Sequence, residues 1–230
     1  MEKVLGQCHT EEKCHLSQNA MGKAKENQMA PTKASLSVNK YADCFLLEVG
    51  DFSGAVNKAY ADMARRTLRI KATPNERDGL REKATAILET AIEELKRTAP
   101  SSFRSWHENT CEELIACYGE RPFTYGQAQK WLNMLLKYLY VYDVQGYEGL
   151  FTPERIAALD MAIDNKVIDE LHKGKYKIRR PALVWSKWDK DTYLAYQREV
   201  RAKLKNASDI ENEDERIPFY WELINWPKLK

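Results

Sequence analysis

Residues 124–143, TYGQAQKWLNMLLKYLYVYD, constrain the fold more than any other stretch of the chain. Thr124 and Gln127 have the spacing of a capping box. In that motif the hydroxyl accepts from a backbone N–H three residues on, and the longer side chain reaches back. From Trp131 to Tyr142 every residue is apolar except Asn133 and Lys137. A helix this apolar on nearly all sides is one that other elements wrap. At about 100° per residue, Lys130, Asn133 and Lys137 share one face, with Gln129 at its edge. Two readings of that polar stripe stand open. It faces water, since lysine is rarely buried without a partner, or it sets a functional lysine at the edge of a pocket.

The rest of the chain repeats the helical pattern, and strand signals are scarce. The fold class read from it is all-α: a single multi-helix globular domain over residues 37–230, preceded by a polar, weakly ordered arm over residues 1–36. A short apolar run lies at 41–49. A helix over 53–71 turns Val56, Tyr60, Met63 and Leu68 inward and carries Arg65, Arg66, Arg69 and Lys71 at its far end. Thr73-Pro74 opens a long amphipathic helix that runs to about Thr98, where Pro100 stops it. Ser101-Ser102 are expected to cap a helix over 103–118. In it His107 reads as a half-buried surface histidine, and Cys111 and Cys117 as small core residues. A loop of about five residues then joins that helix to the central one as a helical hairpin. Thr152-Pro153-Glu154 starts a further helix that is expected to continue to Gly174, with Asp160, Asp164 and Ile168 on one face. The segment from Pro218 to Trp226 closes the chain as a helix or turn.

No run approaches the roughly 18 apolar residues of a membrane span, and the N-terminus lacks the apolar core of a signal peptide. The five cysteines are odd in number and show no disulfide framework. A cytoplasmic protein with no membrane partner is expected. Cys8-His9 and Cys14-His15 are adjacent pairs that do not readily reach one tetrahedral ion, so no metal site and no cofactor are expected.

The net charge of +2 hides a local excess. Residues 171–205 hold eleven Lys or Arg against Asp189, Asp191 and Glu199. Tyr176, Trp185, Trp188, Tyr193 and Tyr196 are interleaved. Basic side chains among aromatics fit a phosphate backbone with bases stacked nearby. On that reading Lys173, Lys175, Lys177, Arg179, Arg180 and Lys187 bind nucleic acid. A solvated helix over 191–205 whose aromatics are core fits the same pattern.

Lys130 and Asp164 carry the candidate chemistry. A lysine near a helix N-terminus feels the positive end of the dipole, which favours the neutral amine by less than about one pKa unit. A nucleophile near neutral pH needs roughly three units, so burial must supply most of the change. A buried amine can attack the anomeric carbon of a nucleoside and form a Schiff base. A carboxylate beside it can stabilise oxocarbenium charge.

Residues from about 103 to 171 resemble the catalytic half of the helix-hairpin-helix DNA glycosylases, particularly the archaeal 8-oxoguanine type. In that family a helical hairpin leads to a helix with a Schiff-base lysine near its start. A short apolar–Asp–x–basic–Val motif follows about thirty residues on. Here Gln129-Lys130-Trp131 through Met134 and Lys137 is similar to the first part. Ala162-Ile163-Asp164-Asn165-Lys166-Val167 is similar to the second, and Lys130 and Asp164 are 34 residues apart. The resemblance implies Lys130 as nucleophile and Asp164 as its carboxylate partner. It also implies a base pocket, for which Trp106, Gln129, Trp131 and Asn133 are the candidates, and DNA as the partner. The chain departs from the family in its hairpin, which has Gly119 and Gly126 in place of a tight Gly-x-Gly. It departs again at Ala162, where the family has proline. The other classes open at this point are nucleic-acid binding without catalysis and a non-enzymatic helical protein. The latter would offer the helix over 74–98 and the polar arm to a protein partner.

Overall fold

In the computed structural model the expected capping box is closed. Thr124 Oγ1 accepts from the Gln127 amide at 3.1 Å, and Gln127 Oε1 accepts from the Thr124 amide at 3.0 Å. The structure describes residues 50–208 and 210–229. The arm, its Cys8, His9, Cys14 and His15, and the run at 41–49 lie outside the described residues.

Eight α-helices follow one another, with no strand among the described residues. They are α1 (Phe52–Thr67), α2 (Pro74–Arg97), α3 (Phe103–Tyr118), α4 (Tyr125–Val141), α5 (Pro153–Ala158), α6 (Asn165–Lys173), α7 (Lys190–Lys205) and α8 (Pro218–Asn225). Seven of the eight starts have a local cause; at the start of α3 Ser102 makes no side-chain cap bond, which corrects the cap expected there. Asp51, Thr73, Thr124, Thr152, Asp164 and Asp189 cap their helices through side-chain oxygens, and Pro74, Pro153 and Pro218 occupy first-turn positions. Gly119 ends α3 at φ 60° and ψ −130°, a backbone region open to glycine alone.

Helix α4 is the axis, and of its residues only Tyr140 escapes full burial. Helix α1 lies along one side of it, where the Trp131 indole donates to Val56 O at 3.2 Å. Helices α2 and α3 pair beside it, joined by the Trp106 indole donating to Ala91 O at 2.9 Å. On another side α8 is fastened by the ion pair of Lys137 with Glu222, both buried. The polar stripe of α4 therefore does not face water. Its members are buried and each has a partner.

The continuous helix expected over 152–174 is a correction. Helix α5 stops at Ala158, and residues 159–163 run without helical structure through the interior before Asp164 starts α6. Buried non-helical backbone is stable only if its carbonyls find donors. Arg201 supplies them to Ala157, Ala158 and Leu159, and Gln197 donates to Met161 O at 2.8 Å. Asp160, with no exposed side-chain surface, takes two parallel bonds from Arg104 at 2.7 and 2.8 Å and one from Arg201 at 2.8 Å. Tyr193 Oη donates to it at 2.7 Å. Burial alone would raise the Asp160 carboxyl; the bonds from Arg104 and the charges of Arg201 and Arg104 outweigh it and hold the group well below the carboxylate range.

His107 is also a correction. It is fully buried rather than half-exposed, and its Nε2 donates to Asn133 Oδ1 at 3.0 Å. Cys111 is in the core as expected, while Cys117 sits at its edge.

Candidate active site

Asp164 is the point where the local fold sets the chemistry. As N-cap of α6 it accepts the Val167 amide on Oδ1 at 2.9 Å. That leaves Oδ2 aimed across to α4, where Lys130 Nζ meets it at 3.3 Å. The Trp226 indole donates to the same oxygen at 3.2 Å. Lys130's side chain is 5% exposed and Asp164's 23%, so the amine is sheltered and the carboxylate reaches the opening. Burial would raise the Asp164 carboxyl, but the Lys130 charge, the Val167 amide, the Trp226 indole and Lys137 hold it low.

The pair lines a cavity of about 250 Å³ together with Asp62, Arg65, Met134, Lys137, Trp185 and Trp226. An adjoining hollow of about 330 Å³ shares Asp62, Arg65, Asp164 and both tryptophans, and adds Arg66, Thr67, Asn165 and Lys166. The two indoles divide the ion pair between them. Lys130 Nζ lies 5.9 Å from the Trp185 ring centroid, and Trp226 holds the carboxylate. Lys166 Nζ stands 4.9 Å from the Trp226 ring. Helix α1, the start of α6 and the short turns Trp185–Lys187 and Trp226–Lys228 thus build one cleft against α4.

Gly126 explains how the Trp185 turn comes so close. Its amide donates to Trp188 O at 3.0 Å, and a Cβ built there would stand 1.9 Å from Trp185 O. Only a residue without a side chain lets the turn lie on the first turn of α4.

Beneath Lys130, the Lys137–Glu222 pair is closed off from water. Burial pushes the Glu222 carboxyl up and the Lys137 amine down, and each partner's charge offsets part of the change. Tyr138 Oη donates to Asp62 at the cavity wall.

Of the sequence-derived site residues, Lys130 and Asp164 are brought together. The four base-pocket candidates are not at the cavity, which is a correction. Trp106 is tied to α2 and Trp131 to α1 by their indole bonds. Gln129 donates to Gly126 O at 2.8 Å. Asn133 gives its amide to Gln129 Oε1 and to Tyr193 Oη, each at 3.0 Å. These polar groups satisfy the interior that surrounds the non-helical segment.

The basic segment is likewise redistributed. Tyr176, Trp188, Tyr193 and Tyr196 are buried core rather than an exposed stacking platform, and of the five aromatics Trp185, also largely buried, is the one that lines the cleft. Lys173 and Arg180 both pair with Asp169 on α6, and Lys177 Nζ donates to Lys173 O at 2.9 Å. Lys175 lies beside the Tyr176 ring, and Arg179 is exposed. Those five do not line the cleft; exposed Lys187 stands two positions from Trp185 in the turn that does. The basic rim comes instead from Arg65, Arg66 and Lys166. The sequence signal was the basic end of α1, which only the fold joins to Lys130.

No group of three or more His, Cys, Asp or Glu among the described residues is placed to hold a metal ion. No helix among the described residues is long and apolar enough to cross a membrane. No family model, curated protein or solved structure matches the chain.

Proposed function

We propose that the chain is a DNA base-excision enzyme, an N-glycosylase with a Schiff-base lyase step, and that Lys130 and Asp164 carry the reaction. The observation that supports this most is the sheltered amine 3.3 Å from a carboxylate, inside a cavity walled by two indoles and rimmed by arginine and lysine. A cavity of about 250 Å³ is smaller than drug-sized pockets and suits a single heterocycle turned out of its stack. Trp185 and Trp226 replace Trp106 and Trp131 as the candidate stacking residues.

At rest the pair is ammonium and carboxylate. A base that fills the cavity excludes water, and the lower dielectric favours the neutral pair. Asp164 takes the proton from Lys130. The amine lone pair then attacks C1′ as the bond from C1′ to the base breaks, and the base leaves with the bonding electrons. The base anion takes a proton from the secondary ammonium so formed. Asp164 then passes its proton to O4′ as the sugar ring opens to the protonated imine between Lys130 and C1′, and the regenerated carboxylate offsets that positive charge.

Base release from duplexes that carry oxidised, deaminated or alkylated bases tests the reading. Release by the native chain and none by Lys130→Ala supports it. No release from any duplex, at low salt and saturating protein, overturns it.

A second reading is nucleic-acid binding without chemistry. It is favoured by the three hydrogen bonds on Asp164, which suit a cap and an anchor as well as a catalyst. Base binding with no release separates the two.

A further inference from the structure

Helix α1 borders a second hollow, of about 490 Å³, on the side it turns to α2. Tyr60, Ala61, Ala64, Leu68 and Ile70 give it an apolar floor, and Arg65, Arg77 and Arg81 stand around it. Arg65 lines this hollow and both parts of the Lys130 cleft.

The charge is unbalanced. None of the three guanidiniums pairs with a carboxylate of a described residue. The lining holds three arginines and no acid; Asp78, on the same helix as Arg77 and Arg81, acts on Tyr60 from beside the hollow. Arg77 and Arg81 are four residues apart on α2, so they project on one face. Arg81 stands 5.5 Å from the Tyr60 ring centroid. Arg77 Nε donates to Ala72 O at 3.0 Å, which fixes the side chain and leaves its terminal nitrogens without a bond to a described residue.

We propose that this groove is a nucleotide subsite, with a phosphate held by Arg77 and Arg81 and the base laid on the apolar floor beside Tyr60. Guanidinium forks match phosphate oxygens two at a time. A cation already stacked on an aromatic ring extends naturally to a stacked base. Guanidiniums gathered at one hollow suit a compact dianion rather than the spread charge of an acidic peptide. The volume falls within the usual range for small-ligand pockets. The inference does not require the Lys130 chemistry.

Calorimetric titration of the full chain tests it, with adenosine monophosphate, adenosine and a short oligothymidylate as probes. The nucleotide should bind about tenfold or more tightly than the nucleoside. Arg77→Gln with Arg81→Gln should abolish that advantage, and the paired lysine variant should keep most of it. Lys130→Ala should leave it unchanged, so failure of the enzyme reading would not remove this site. Binding of the oligonucleotide alone, lost in the glutamine variant, supports the site and assigns its source to a strand; binding of the mononucleotide alone supports it and assigns a free nucleotide. Equal binding of nucleotide and nucleoside, affinities unaffected by the glutamine pair in protein of native melting temperature, or no binding of any probe would overturn it.

Discussion

Lys130 Nζ stands 3.3 Å from Asp164 Oδ2, with the Trp185 indole beside the amine and the Trp226 indole bonded to the carboxylate. The carboxylate is held on both oxygens, by the start of its own helix on one and by the cleft on the other. Structure and chemistry are therefore separable at this residue.

Asp164→Asn separates them. Asparagine is as good an N-cap as aspartate, so the start of α6 should survive, and denaturant unfolding should show the loss of Lys130's counter-charge as a cost of roughly 1–3 kcal/mol. The proton acceptor is gone, so the rate of base release should fall by about two orders of magnitude or more. Asp164→Ala should lose the same activity and a further ~1 kcal/mol of stability.

The Lys137–Glu222 pair makes a prediction about stability alone. Both side chains are 1% exposed, so removal of one strands a charge. Lys137→Met should cost roughly 3–5 kcal/mol, and the double variant with Glu222→Leu should recover much of that loss. A double-mutant cycle by chemical denaturation measures the coupling.

Acid stability should decline in two stages. Burial lowers the His107 imidazole from 6.5 to about 4, so it is neutral in the folded chain and charged in the unfolded one between those values. The unfolded state then binds the extra proton, and stability drops by up to about 1.4 kcal/mol per pH unit as pH falls through that window. Below about pH 4 the depressed carboxyls of Asp160 and Asp164 are protonated first in the unfolded chain, and their contribution is lost in turn. His107→Gln should flatten the upper stage and leave the lower one, as read by denaturation at a series of pH values.

Gly126→Ala should run against helix propensity. Alanine is normally better than glycine inside a helix by about 1 kcal/mol. Here the added Cβ meets Trp185 O at 1.9 Å, so the variant should be less stable by roughly 1–3 kcal/mol. Displacement of the turn should also lower base release, because Trp185 lines the cleft.

Much of this was legible in the residues. The capping box at Thr124 and Gln127 and the proline-led starts at Pro74 and Pro153 follow from local rules, whereas the pairing of Lys130 with Asp164, 34 residues on, was implied by the resemblance of two short motifs. The break at 159–163 was not legible. Leu159, Met161, Ala162 and Ile163 carry an apolar pattern that suits a helix, and the donors that let the segment run non-helical come from Gln197 and Arg201, far along the chain. The same distance effect misplaced Gln129 and Asn133. A buried amide that serves a remote carbonyl or hydroxyl and one that reads a base have the same signature in sequence. The basic rim failed for the opposite reason. Charge density pointed to residues 171–205, whereas Arg65 and Arg66 gain their place only when α1 is laid along α4.

Borohydride trapping on DNA that carries an abasic site or a modified base tests the central claim most directly. The account predicts a covalent adduct whose peptide map places the sugar on Lys130, with no adduct from Lys130→Ala folded as the native chain. An adduct that persists in Lys130→Ala, or no adduct from any substrate, would contradict it.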